Sequence, residues 1–139
     1  MMRLVLDTNV VASAMLWGGN PKLLLQARRE KRVELFTSVA MLAELTDILA
    51  RPKFERKIAA SMLTVDQLVD GYAEHAQLVR PTPTPRIVAD PDDDVVIGTA
   101  LAARADLLVT GDRALLDVGT YQGVRIVGVA EAISLIAAG

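Results

Sequence analysis

Apolar and polar positions follow two different periods along the chain. Short apolar runs are typical of strands buried on both faces of a parallel sheet, and apolar residues recurring every three or four positions predict amphipathic helices. Strands are predicted at residues 3–6, 33–36, 77–79, 107–110 and 124–127, and helices at 10–17, 21–30, 38–50, 53–60, 64–76, 95–105 and 129–137. Because strands and helices alternate, we expect an α/β fold: a three-layer α/β/α arrangement around a central, mostly parallel sheet.

Capping residues and helix breakers mark the expected ends of these elements. Asn20 is predicted to cap the helix that begins at Pro21, and Ser38 and Thr64 are predicted to cap two later helices. The proline-rich segment 81–85 can be neither helix nor central strand, so we expect an extended loop there.

Length and composition narrow the class of protein. The 139 residues are enough for one hydrophobic core, so we expect residues 1–139 to form a single domain. Hydrophobic residues make up 52% and charged residues 23%, which is typical of a folded globule and not of a disordered chain. No apolar run is long enough for a membrane span or a signal peptide, so we expect no membrane association and a cytoplasmic protein.

The rare residue types restrict the chemistry. The chain has no cysteine and a single histidine, which excludes disulfides, a cysteine nucleophile, thiolate zinc sites and iron–sulfur clusters. A metal ion would therefore have to be held by oxygen atoms. The formal net charge of −2 argues mildly against nonspecific binding of nucleic acid, although an average can hide local clusters.

Four acidic residues are candidates for one shared site. Asp7 follows the first predicted strand and Asp112 follows the fourth, so both belong at the carboxyl edge of the sheet, where ligands collect. Asp94 precedes Ile97 by three positions and should face inward, whereas Asp92 and Asp93 should point elsewhere. Glu44 lies at the border of the apolar stripe of its helix. Each acid also has a structural alternative, as a helix cap or a surface residue.

Four converging carboxylates repel one another unless they share protons or bind cations. A set of oxygen ligands suits Mg²⁺ or Mn²⁺. Such an ion, alone or as one of a pair, can activate water and clamp phosphate oxygens, which points to hydrolysis of phosphodiester bonds.

Several short segments resemble one known family. Residues 4–9, 43–45, 94–100 and 108–112 follow the order and spacing of the PIN-domain nucleases. Residues 13–19 and 90–94 are similar to the VapC-like branch, the toxins of toxin–antitoxin systems. The resemblance covers essentially the whole chain, and its specificity comes from four acids in order with matching secondary structure.

The resemblance implies a role for each matching residue. It makes Asp7, Glu44, Asp94 and Asp112 the catalytic, metal-binding acids and Thr8, Asn9 and Thr110 their supporting residues. It also implies cleavage of RNA with Mg²⁺ or Mn²⁺, a homodimer, and a cognate antitoxin protein that silences the enzyme. Asp92 and Asp93 remain alternatives to Asp94, and the spacing to Ile97 favours Asp94.

An RNA substrate requires cations that meet its phosphates. Arg113 is the best single candidate because it follows Asp112 directly. Other candidates are Arg28, Arg29, Lys31, Arg32, Arg51, Lys53, Arg56, Lys57 and Arg86. Without the four proposed metal ligands, acids no longer outnumber bases. Aromatic residues make up only 4%, so stacking platforms are scarce and target choice would rest on shape and backbone.

Other protein classes that could account for these acids require different sequence features. A catalytically inactive PIN module that binds RNA or a protein partner is the main one, and the presence of all four acids argues against it. A haloacid-dehalogenase-type phosphatase needs an acid two residues after its nucleophilic aspartate, where this chain has Asn9. Glycine-rich nucleotide-binding motifs are absent.

Overall fold

Six strands form one sheet in the computed structural model, which describes residues Met1–Gly139. They are β1 (Met2–Leu6), β2 (Val33–Thr37), β3 (Ala76–Leu78), β4 (Leu107–Val109), β5 (Thr120–Tyr121) and β6 (Val124–Val127). The strand order is β3-β2-β1-β4-β6-β5, and every neighbouring pair is parallel except the antiparallel pair of β5 and β6. The carboxyl ends of β1 and β4 therefore lie side by side.

Eight α-helices surround the sheet. They are α1 (Thr8–Leu16), α2 (Asn20–Arg29), α3 (Val39–Leu49), α4 (Glu55–Ser61), α5 (Val65–His75), α6 (Pro91–Ala102), α7 (Arg113–Val118) and α8 (Val129–Ala138). Side chains alternate across β1, so that Leu4 and Leu6 join one apolar cluster and Val5 joins the other. Helices α1, α2, α3, α5 and α8 contribute to the first cluster, and α6, α7 and Met41 of α3 contribute to the second. The predicted three-layer α/β/α architecture is confirmed. None of these helices combines the length and apolarity that a membrane crossing needs.

Two of the three predicted caps are confirmed. The Ser38 hydroxyl accepts a hydrogen bond from the Met41 N–H at 3.4 Å, and Thr64 forms a reciprocal capping box with Gln67. The prediction for Asn20 is wrong. Gly19 caps α2 instead, because its φ of 90° turns the chain in a way that a side chain disfavours, and Asn20 is already helical.

Helix α6 begins at Pro91, four positions before the predicted start. Asp90 caps it, with its side chain accepting the Asp92 N–H at 2.9 Å, and a proline fits the first helical position because that residue has no intrahelical partner for an N–H. Three successive aspartates therefore occupy the first turn of α6 and point in directions about 100° apart. This shift decides which of them faces the carboxyl edge of the sheet.

Smaller differences concern short elements. The segment predicted as one helix from residue 53 is a 3₁₀ turn, Pro52–Phe54, followed by α4. Strand β5 was not predicted, because two residues are too few to show a period. The loop between β3 and α6 contains no helix or strand, as its prolines predict.

That loop crosses α6 at Gly98. The Thr82 N–H donates a hydrogen bond to the Gly98 carbonyl oxygen at 2.9 Å. A Cβ atom at position 98 would lie 2.5 Å from the Thr82 carbonyl oxygen, well inside van der Waals contact. The close approach of loop and helix therefore requires glycine at this position.

Gly98→Ala is expected to lower the free energy of unfolding by about 1 to 3 kcal/mol, because the loop must move away from α6. Gly71→Ala is the matched control, since no atom lies within 4 Å of the added methyl group in the middle of α5. This control should raise the free energy by about 0.5 to 1 kcal/mol. Urea denaturation measures both, and equal effects of the two changes would contradict the close approach.

Candidate functional site

Asp7 lies at the carboxyl end of β1 and caps α1. It is 6% exposed, and its N–H donates to the Val109 carbonyl oxygen at 2.9 Å, which ties the end of β1 to β4. Its Oδ1 accepts the Thr8 N–H at 2.8 Å, and its Oδ2 accepts the Thr110 hydroxyl at 2.7 Å. Burial raises the pKa of Asp7, and the hydrogen bonds from Thr110 and Thr8 oppose that rise. The carboxylate is therefore held in one orientation by two buried threonines.

Asp112 lies next to Asp7 at the same edge. The Thr110 hydroxyl that donates to Asp7 also accepts the Asp112 N–H at 3.0 Å. The Asp112 side chain accepts the Ala114 N–H at 2.8 Å and so begins α7. Thr110 thus fixes both acids relative to each other, and the negative charge of Asp112 contributes to the raised pKa of Asp7.

Asp93 is the third acid at this edge. Burial, together with a carboxyl group of Asp112 within hydrogen-bonding reach, raises the pKa of Asp93 to about 7. The negative charges of Asp112, Asp90 and Asp7 act in the same direction. The side chain of Asp93 therefore faces Asp112 and Asp7.

Asp94 is engaged elsewhere. Its Oδ1 accepts the N–H groups of Ile87 and Val88 at 3.0 and 3.2 Å, and its Oδ2 lies 3.7 Å from Nε of Arg86. The carboxylate fastens the loop before α6 to the first turn of that helix. This corrects the expectation that Asp94 points into the acidic cluster while Asp93 points away. The reason is the earlier start of α6, whose capping Asp90-Pro91 pair was the available sequence signal.

Glu44 approaches the cluster from α3. Burial raises the pKa of Glu44, followed by the negative charge of Asp7, and an interaction with the Thr8 side chain lowers it. Glu44 lines a cavity of about 220 Å³ together with Asp47 and Asp92. A larger cavity of about 360 Å³, between α2 and α5, has no acidic residue in its lining and is a separate feature.

The donor set has the chemistry of a site for a hard divalent cation. Asp7, Glu44, Asp93 and Asp112 offer only oxygen atoms, and no arginine or lysine forms an ion pair with any of them. Their mutual repulsion is therefore uncompensated, and a bound cation would relieve it. No three such side chains stand close enough to hold an ion as they are arranged, so a cation would have to draw the carboxylates together.

The remaining predicted residues lie around this cluster. Thr8 and Thr110 are buried and contact Asp7 as described, whereas Asn9, the second residue of α1, is exposed. Arg113 is the exposed first residue of α7, adjacent to Asp112.

Comparison with known proteins gives a matching family and solved structures with a similar fold. The sequence profile of a family described as PIN domain matches residues 3–114. No significant match is found among curated proteins. The fold is similar to that of VapBC2 from Rickettsia felis, solved bound to a DNA fragment from their promoter, with a TM-score of 0.62, 15% identity and coverage of 91% of this chain and 98% of that one. PAE2754 from Pyrobaculum aerophilum has a TM-score of 0.60 and 16% identity, with coverage of 100% and 91%.

Proposed function

The chain belongs to the PIN domain family, and from that premise we propose that it is a metal-dependent endoribonuclease that hydrolyses RNA phosphodiester bonds. Family membership supports a nuclease, and therefore a hydrolase, in general terms. The observation that carries the finer proposal is the buried Asp7 beside Asp93 and Asp112, without a cationic side chain to compensate them. Such a cluster suits Mg²⁺ or Mn²⁺.

We propose that Asp7, Asp93 and Asp112 hold the cation, with Glu44 completing the site from α3. Asp93 takes the place that the sequence favoured for Asp94. When bound, a divalent cation lowers the pKa of water and neutralises phosphate oxygens.

Thr8 and Thr110 keep the Asp7 oxygens oriented. Arg113, exposed beside Asp112, is the proposed contact for a substrate phosphate, and Asn9 is exposed on the same turn of α1 as Thr8.

The partners follow from the same assignment. We propose that the protein is the toxin of a toxin–antitoxin pair in the cytoplasm, that it binds a cognate antitoxin and that it forms a homodimer. The similarity of the fold to VapBC2 of Rickettsia felis over 91% of the chain supports the toxin assignment.

RNA cleavage is expected to require Mg²⁺ or Mn²⁺, to stop when a chelator is added and to return with excess metal. Asp7→Asn should lower the cleavage rate by about a hundredfold or more, because it removes a charge that the cation needs. The fold should persist, since the amide oxygen can still accept the Thr8 N–H and the amide NH2 can donate to the Thr110 hydroxyl oxygen. Gel analysis of end-labelled RNA measures the rate.

Asp70→Asn is the matched control, because Asp70 is an exposed aspartate of α5 away from the cluster. Its cleavage rate should equal that of the wild type. Cleavage that survives Asp7→Asn or the chelator would overturn the metal-dependent mechanism. RNA binding without cleavage under any metal would favour the inactive PIN module instead.

A further inference from the structure

Helix α4 is a surface element held by very few contacts. None of its seven residues is buried, and the buried Phe54 of the preceding 3₁₀ turn anchors it together with the half-buried Ile58. A helix of this length is not stable alone in water. The α4 segment is thus fastened at its base, and its outer face contributes little to the core.

That outer face is strongly basic. Arg51, Lys53, Arg56 and Lys57 are all exposed, and none of them forms an ion pair with a carboxylate. Glu55 is the only acid between Arg51 and Lys57. We call these four cations the α4 basic surface. Unpaired cations at this density give a positive field that attracts a polyanion.

An aromatic side chain adjoins the α4 basic surface. Trp17 is 39% exposed, and its ring meets the Phe54 ring edge to face with centroids 5.5 Å apart. Nζ of Lys57 lies 5.3 Å from the Trp17 ring, and Nζ of Lys53 lies 5.1 Å from the Phe54 ring. Trp17 therefore packs against Phe54, and one ammonium group lies near each of the two rings. Aromatic rings combined with cations can bind a stacked base together with its phosphates.

Helix α1 links this surface to the acidic cluster. Asp7 caps its beginning and Trp17 caps its end, so the two are separated by about 15 Å along the helix axis. A single-stranded RNA of a few nucleotides can extend over that distance.

We propose that the α4 basic surface and Trp17 form a binding site for single-stranded RNA outside the cleavage site. The cations contact phosphates and Trp17 stacks on a base. The choice of RNA rests on the proposed function, and the half-exposed aromatic platform favours a nucleic acid over an acidic protein, which offers no flat rings at regular spacing.

Trp17 is the only tryptophan, so its fluorescence reports directly on the proposed site. The experiment titrates the full-length protein with a short oligouridylate in the presence of a chelator, so that no cleavage occurs. Saturable quenching of Trp17 is expected. Anisotropy of labelled oligouridylate gives the affinity of each variant at several salt concentrations.

The variants separate stacking from charge. Lys53→Gln/Lys57→Gln should weaken binding and lower the slope of log affinity against log salt by roughly 1.4, because two phosphate contacts are lost. Trp17→Ala should weaken binding by about tenfold and leave the slope unchanged, since no charge is removed. Lys22→Gln/Arg80→Gln, two exposed cations away from the α4 basic surface, is the control and should keep the wild-type slope.

The outcomes distinguish this proposal from the enzymatic one. An unquenched Trp17 at saturating RNA, or equal losses in the two double variants, would overturn the site even if the protein cleaves RNA. Polyglutamate that binds as tightly, with no effect of Trp17→Ala, would indicate an acidic protein partner and overturn it too. The expected quenching and slopes in a protein that never cleaves RNA would support the site and refute the nuclease.

Discussion

Asp93→Asn is expected to lower RNA cleavage by about a hundredfold or more, whereas Asp94→Asn should keep cleavage within a few-fold of the wild type. The two residues are neighbours in sequence, but Asp93 faces Asp112 and Asp7, while Asp94 accepts hydrogen bonds from Ile87 and Val88. An asparagine at position 94 can still accept both N–H groups and loses only the charge. We therefore expect a cost in stability of about 1 kcal/mol for Asp94→Asn.

Cleavage assays with labelled RNA, run below the unfolding temperature of each variant, compare the pair directly. Urea denaturation of the same samples separates a loss of chemistry from a loss of folded protein. An inactive Asp94→Asn beside an active Asp93→Asn would restore the ligand set favoured by the sequence. Wild-type activity in both variants would remove both residues from the catalytic set.

Mg²⁺ or Mn²⁺ is expected to stabilise the folded protein strongly. An ion that binds only the native state at a hundred times its Kd contributes about 2.7 kcal/mol, which raises Tm on the order of 10 °C for a chain of this size. The physical reason is the uncompensated repulsion among Asp7, Asp93 and Asp112, which a cation converts into attraction.

Asp93→Asn makes this test specific. In the absence of the cation, the Tm of the variant should be higher than that of the wild type, because one of the mutually repelling charges has been removed. Its rise in Tm on adding metal should be smaller than that of the wild type, whereas Asp70→Asn should respond as the wild type does. Thermal denaturation followed by circular dichroism measures all three. Identical rises in the three proteins would show that the ion binds elsewhere on the surface.

Helix α6 begins four residues before the position that the apolar pattern predicts. Apolar spacing placed the start of α6 at Val95 because the three aspartates before it look like a capping cluster. Asp90 and Pro91 carry the true start signal, a side-chain cap followed by a residue without an N–H. Because α6 begins at Pro91, Asp93 and Asp94 are both helical residues and point about 100° apart. Asp93 lies three and four positions before the buried Val96 and Ile97 and faces the cluster, whereas Asp94 reaches the loop at Ile87 and Val88.

Local patterns and composition were enough to predict the layers of the fold and the caps at Ser38 and Thr64. They were also enough to predict that Asp7 and Asp112 lie at the same edge of the sheet. These properties depend on periods of a few residues and on the rule that parallel strands share a carboxyl edge. The tertiary structure alone decided that Thr110 bridges the two acids, that Asp94 fastens a loop, and that Trp17 rests on Phe54. Those contacts join residues that are distant in sequence, or they depend on the exact rotation of a helix. No periodic pattern in the sequence predicts either kind of contact.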